Sequence, residues 1–141
     1  MGYCAYWIYG FKSLSSIKPY QAIITTDNQT FEGRFIFGCV SNSTSIGGIL
    51  KLADQKVDLC DGRMELLLIR YPKSPAELGQ LIFDVARGNY SNKNIIFTQA
   101  ERISVRFQND VDWSVDGEYA GKYQQTEILV KHKAFKILRN A

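Results

Sequence analysis

Apolar and polar positions change period several times along the chain, and each change marks an element. Residues 3–14 are aromatic or apolar on almost every side, among them Tyr6, Trp7, Ile8, Tyr9 and Phe11. A helix that is greasy all round needs burial all round. It is expected to be covered partly by this domain and partly by another, with Met1 not the natural start. The run is too short to span a bilayer. With no basic residue before it and no small-residue cleavage site after it, it is not expected to be a secretory signal.

After Lys18-Pro19 the period becomes that of strands. Residues 20–26 are rich in Ile and Thr, Asp27-Asn28 turns the chain, and residues 30–40 run on as the second arm of a hairpin. Residues 64–71 (MELLLIRY) are mostly apolar, the pattern of a mostly buried strand. Ser74-Pro75-Ala76-Glu77 then carries a capping box, with Ser at N-cap, Pro at N1 and Glu at N3. Leu78, Leu81, Ile82, Val85 and Ala86 follow at helical spacing, and Gly88 supplies a stop, which predicts a helix over 75–87.

From Asn94 the pattern returns to β. Strands are predicted at 95–98 and 102–107, the latter with Ile103, Val105 and Phe107 on one face and Arg102, Ser104 and Arg106 on the other. Asp110-Val111-Asp112 reads as a turn, followed by strands at 113–115, 125–131 and 134–138. Short strands with turn signals at roughly ten-residue intervals, plus two helices, indicate a mainly β (α+β) fold. The predicted architecture is an antiparallel two-sheet β-sandwich with an N-terminal aromatic helix and one packed amphipathic helix.

Length and composition fit that picture. The chain has 141 residues, 45% apolar and 22% charged, which suits one soluble domain with its own core. A net charge of +3 permits approach to an anionic membrane surface or a nucleotide. It gives no clustered basic stripe for duplex DNA, and the aromatics lack the interleaved Arg/Lys platform of RNA-binding folds, so no nucleic-acid partner is expected. Cys4, Cys39 and Cys60 share no metal spacing and read as free thiols in a reducing compartment. His132 is the single histidine and reads as a surface-strand residue, which excludes a His-rich zinc site.

Three stretches could carry chemistry. Residues 41–48 are polar and glycine-rich, but they lack both phosphate-loop arrangements and read as a connector. Asp54, Asp58 and Asp61 fall close together and end in Asp61-Gly62. Oxygen ligands at that spacing can hold a hard cation such as Mg²⁺, but on chemistry alone a solvated acidic turn is the favoured reading. Finally, Trp113-Ser114-Val115-Asp116-Gly117-Glu118 runs a short strand into an Asp-Gly turn with a carboxylate just beyond it.

Taken in order, the parts form a series. An aromatic helix precedes a hairpin containing Phe31-Glu32-Gly33; Val40-Ser41-Asn42 and Gly47-Gly48 with Leu52-Ala53 follow. Next come Asp61-Gly62 before an apolar strand, a helix ending in Arg87-Gly88, and Val115-Asp116-Gly117-Glu118. This series resembles the C-terminal domain of the bacterial diacylglycerol kinase-like lipid kinases, relatives of sphingosine and ceramide kinases, over essentially the whole chain.

The resemblance implies a two-domain ATP-dependent lipid kinase acting on diacylglycerol or a similar lipid alcohol. Its N-terminal domain, absent from these residues, holds ATP, and this β-sandwich faces the cleft between them. Glu118 would be the general base that takes the proton of the lipid hydroxyl, with Asp116 orienting the turn or a bridging water. Asp58, Asp61 and Arg63 would form the Mg²⁺ turn, Asp61 through its carboxylate and the other two through backbone carbonyls. Family members commonly have a proline after Leu-Ala where this chain has Asp54, so a looser loop is expected. The resemblance further implies a role in phospholipid biosynthesis, a cytoplasmic protein peripherally attached to the inner face of the membrane, and allows a homodimer.

Residues 1–141 alone are expected to be inactive, since no phosphate-cradling loop is present. The alternative is a non-catalytic β-sandwich module that binds a lipid, polyanion or protein. An upstream reading frame of about 130 residues with a Gly-Asp-Gly-Thr-like motif would separate the two.

Overall fold

The structure is a computed structural model and describes residues 18–43, 45–46, 50–51, 61–132 and 134. The expected N-terminal helix, the Gly47-Gly48 pair, Asp54, Asp58, Cys4, Cys60 and the expected strand at 134–138 fall wholly or mainly outside those residues. Eight strands and one helix make up the described fold. They are β1 (Tyr20–Thr26), β2 (Thr30–Ser41), β3 (Ser45–Ile46), β4 (Leu50–Lys51) and β5 (Met64–Arg70), then α1 (Pro75–Ala86), β6 (Ile95–Ala100), β7 (Arg102–Val115) and β8 (Glu118–Leu129).

β3 and β4 pair as a small antiparallel ribbon. The other six strands form one antiparallel ladder in the order β6-β5-β2-β1-β7-β8. That ladder cannot be flat. Only Glu101 separates the end of β6 from the start of β7, so Ala100 and Arg102 lie within about 7 Å of each other. Four inter-strand steps of a flat sheet would put them about 19 Å apart.

The ladder therefore bends into two layers. β2 makes one bend: Thr30 to Phe35 pair with β1, Phe35 to Ser41 pair with β5, and the register breaks between Phe35 and Phe37. Glu101 makes the other corner. Strands that pass from one layer to the next at a bulge or bend are how sandwich corners form, which is the predicted architecture.

The layers enclose Ala22, Ile24, Phe35, Leu66, Leu68, Ala100, Ile103 and Val105 as one core cluster. The corner is held from outside. The β1–β2 turn presents Asp27, whose two carboxylate oxygens accept from the backbone N–H groups of Glu101 and Arg102 at 2.7 and 3.0 Å. Val130 N–H donates to the Glu101 carbonyl at 3.0 Å.

α1 covers the outer face of the β5–β6 layer, where Leu78, Leu81 and Val85 meet Leu67, Ile69 and Ile95. β5 is thus buried on both faces from Glu65 to Ile69, as its mostly apolar sequence predicts. Ser74 caps the helix by accepting from Glu77 N–H at 3.2 Å. Glu77 reaches back one residue further than a capping box requires, to Lys73 N–H at 2.8 Å. After the helix, the Asp84 carboxylate accepts from the side chains of Gln80, Asn89 and Asn92 at 3.0, 3.1 and 2.7 Å. The amide of Asn92, more than those of Gln80 and Asn89, holds its carboxyl below the usual range against the opposing effect of desolvation.

Two sequence expectations change. Asp110-Val111-Asp112 is strand, inside β7, and β8 begins at Glu118 instead of residue 125. The cause is cross-strand pairing: Asp112 stands opposite Lys122 with their charged atoms 3.7 Å apart, and Val111 stands opposite Tyr123. These pairs of a long hairpin outweigh a local turn signal.

Candidate functional site

β1 pairs with β7 only over Ile103 to Phe107. Beyond that point β7 and β8 pair with each other alone among the described residues, making a two-stranded arm. Its base is irregular, since the register slips between Arg106 and Val111. Gln124 Nε2 bridges the slip by donating to the Gln108 carbonyl at 3.1 Å. An aromatic file packs there, with Tyr20, Phe107 and Trp113 in successive edge-to-face contacts at centroid distances of 6.1 and 6.0 Å. This file anchors the arm to the core.

The arm closes at Val115 and Glu118, which are register partners across a two-residue loop. Asp116 has φ 52° and Gly117 φ 86°, the paired left-handed residues of a tight hairpin turn that matches the twist of its strands. Asp tolerates this conformation better than most side chains, and glycine adopts it freely. The Glu118 side chain is exposed, and its carboxylate makes no hydrogen bond or ion pair among the described residues. Its flanks are apolar: Val115 is 62% and Tyr119 70% exposed, so the carboxylate stands on a greasy tip.

The second predicted site lies at the other end of β7, beside the Glu101 corner. Asp61 Oδ1 accepts from Arg63 N–H at 2.8 Å, closing a turn over Gly62 at φ 77°. The Arg63 side chain turns away from Asp61 and donates through Nη2 to the Gln99 carbonyl at 2.9 Å. Asp61 is exposed, and its Oδ2 has no partner among the described residues. This donor chemistry suits a hard cation, because an oxygen remains and the neighbouring guanidinium is directed elsewhere. The described residues bring no three His, Cys, Asp or Glu side chains together, and Asp58 is outside them.

Asp116 and Glu118 are thus brought together on one turn, and Asp61 and Arg63 on another; no described contact joins the two turns. His132, expected on a surface strand, is exposed but lies past the end of β8 in a turn. It packs against Gly62. Cys39 is a free, half-buried thiol whose pKa burial pushes up, which makes it a poor nucleophile. The sequence reading missed Glu65, which is 1% exposed and accepts from Gln99 Nε2 at 3.1 Å. A carboxylate inside an otherwise apolar run was its only signal. No helix of the described residues is long and apolar enough to cross a membrane.

Residues 1–139 match the family described as the YegS C-terminal NAD kinase β-sandwich-like domain. The chain belongs to that family. A diacylglycerol kinase of Bacillus subtilis (strain 168) is 31% identical over 122 residues, covering 86% of this chain and 40% of that protein. A diacylglycerol kinase of Staphylococcus haemolyticus (strain JCSC1435) is 32% identical over 133 residues, covering 93% of this chain and 39% of that protein. The chain therefore spans about two-fifths of the length of these curated relatives. A crystal structure of a diacylglycerol kinase from Bacillus anthracis str. Sterne superposes with a TM-score of 0.58 at 18% identity, covering 86% of this chain and 43% of that one. The fold and family expected from the ordered motifs are those found.

Proposed function

We propose that the chain is the C-terminal part of an ATP-dependent lipid kinase that phosphorylates diacylglycerol or a similar lipid alcohol, with Glu118 as general base. The observation that carries this reading is the presentation of Glu118: a carboxylate with no partner among the described residues, at the first position after a tight turn, between exposed apolar side chains. Such a tip suits a reaction in which a hydroxyl at the head of an apolar molecule must reach a nucleotide held by a second domain. The relatives named diacylglycerol kinase, more than twice as long as this chain, agree with the need for that domain.

In this mechanism the lipid hydroxyl oxygen attacks the γ-phosphorus of ATP, the bond from that phosphorus to the bridging oxygen breaks, and ADP leaves. Glu118 accepts the hydroxyl proton late in the step. Phosphoryl transfer passes through a loose transition state, so positioning and charge neutralisation count for more than basicity. Asp116 shapes the turn. Asp61, with backbone carbonyls of Asp58 and Arg63, would hold a structural Mg²⁺ ion that pins that loop, and the catalytic Mg²⁺ would arrive with ATP. Contact with the membrane is peripheral, at the cytoplasmic face, and a homodimer is compatible with the exposed edge strand β8.

In the full-length protein, Glu118→Gln should lower kcat for lipid phosphorylation by roughly 10²–10⁴-fold with an unchanged thermal midpoint, the usual loss for a general base. Full activity in that variant removes Glu118 from the mechanism. Absence of lipid phosphorylation by the parent protein would favour the non-catalytic module.

A further inference from the structure

One row across the β2-β5-β6 layer is out of keeping with its apolar surroundings. Ser41, Glu65 and Gln99 stand directly opposite one another in register. The Arg63 guanidinium joins the row, because it is bound to the carbonyl of Gln99 at 2.9 Å. Glu65 is 1% exposed, and only one of its carboxylate oxygens is engaged, by Gln99 Nε2. Three buried atoms in this row lack a hydrogen-bond partner among the described residues: Ser41 Oγ, Arg63 Nε and Glu65 Oε2. Orphaned buried polar atoms are rare and costly, and three on adjoining residues call for a ligand.

We propose that the row is a built site for one neutral hydroxylic molecule, a water, which locks the Arg63 side chain and through it the Asp61 turn. The three atoms select this occupant by charge. A metal cation would face the guanidinium, and an anion would face the carboxylate. Water accepts from Arg63 Nε–H, donates to Glu65 Oε2, and exchanges a bond with the Ser41 hydroxyl in either direction, reaching the three partners typical of an internal water. Arg63 is then held at Nε and Nη2, while its backbone N–H holds Asp61 Oδ1. Ser41 and Glu65 become positioning residues for Asp61. Their bearing on a cation rests on the reading above; the water site does not.

The test uses full-length protein labelled with ¹⁵N at arginine. The Arg63 Nε–H should exchange slowly and show cross-relaxation with a long-lived water. Ser41→Ala and Glu65→Gln should each speed that exchange about tenfold or more, the loss expected of one hydrogen bond to a charged group. Glu65→Gln keeps an acceptor for Gln99 but turns a donor toward the water. The double variant should be little worse than the stronger single one, since both break one unit. An Arg63 Nε–H that exchanges like an exposed arginine, or that neither variant affects, overturns the site. A protected Nε–H in a protein that phosphorylates no lipid would uphold the site and defeat the kinase reading; lipid phosphorylation with an unprotected Nε–H would do the reverse. Calorimetry adds a readout that mere stability does not move: Glu65→Gln should weaken Mg²⁺ binding several-fold, and unchanged Mg²⁺ binding would overturn the positioning role.

Discussion

The imidazole of His132 lies against Gly62, with its Cγ and Nδ1 3.1 Å from where a Cβ on that glycine would stand. The turn that presents Asp61 thus faces two constraints on one residue: a left-handed backbone at φ 77° and a ring that would have to shift by a few tenths of an ångström to admit a methyl group. Gly62→Ala should destabilise the protein by about 1–3 kcal/mol and lower its melting midpoint by roughly 3–8 °C. Combining it with His132→Ala should recover the steric part and leave the backbone part. Identical melting of the single and double variants would show that the ring is not involved.

At the Glu101 corner, the Asp27 carboxylate is the acceptor for two backbone N–H groups. Asp27→Ala removes both bonds, and a cost of roughly 1–2 kcal/mol is expected at this exposed position. Asp27→Asn should cost less, since one acceptor oxygen survives. Urea denaturation of the three proteins provides the comparison, and equal midpoints would mean that the corner holds without the side chain.

Acid should loosen the α1–β6 connection. The Asn92 amide first, with those of Gln80 and Asn89, lowers the Asp84 pKa in the folded state. The Lys93 ammonium first, then the Lys73 backbone N–H, lowers that of Glu77. A carboxyl with a depressed folded pKa contributes stability that is complete above its unfolded value, about 4. That contribution is lost as pH falls through the folded value. Stability should therefore fall as pH drops below about 4, and Asp84→Asn should flatten that dependence. A variant whose denaturation midpoints follow pH as steeply as the parent's would contradict the assignment.

If Asp116 only shapes the turn, Asp116→Asn should leave kcat within a few-fold, because Asn also adopts the left-handed conformation. Asp116→Val should destabilise the hairpin, since β-branched residues resist that conformation. Steady-state kinetics on the full-length protein decide the matter: a loss in Asp116→Asn as deep as in Glu118→Gln would give Asp116 a chemical role.

Local signals were sufficient where neighbours along the chain set the structure. The Ser74-Pro75 cap, the apolar run of β5 and the Asp27 turn each carry their own physics, and their elements stand where that physics puts them. The two-layer closure depends on Glu101 being the single residue between strands four places apart, a relation among distant segments. β7 was cut short in the sequence reading because Asp110 and Asp112 resemble turn residues until Lys122 is seen opposite. The Asp-Gly-Glu corner was legible as a turn from two residue types. The burial of Glu65 was not, because its partner Gln99 lies 34 positions away.

Past Phe107 the arm has lost the support of β1, so the candidate base rides on a ribbon two strands wide. Such a ribbon opens and flexes at lower free-energy cost than the sandwich behind it. A carboxylate mounted there can be advanced to a substrate and drawn back while Ile103, Leu66 and Leu68 keep their places. The folded body can then remain stiff while the hairpin tip moves.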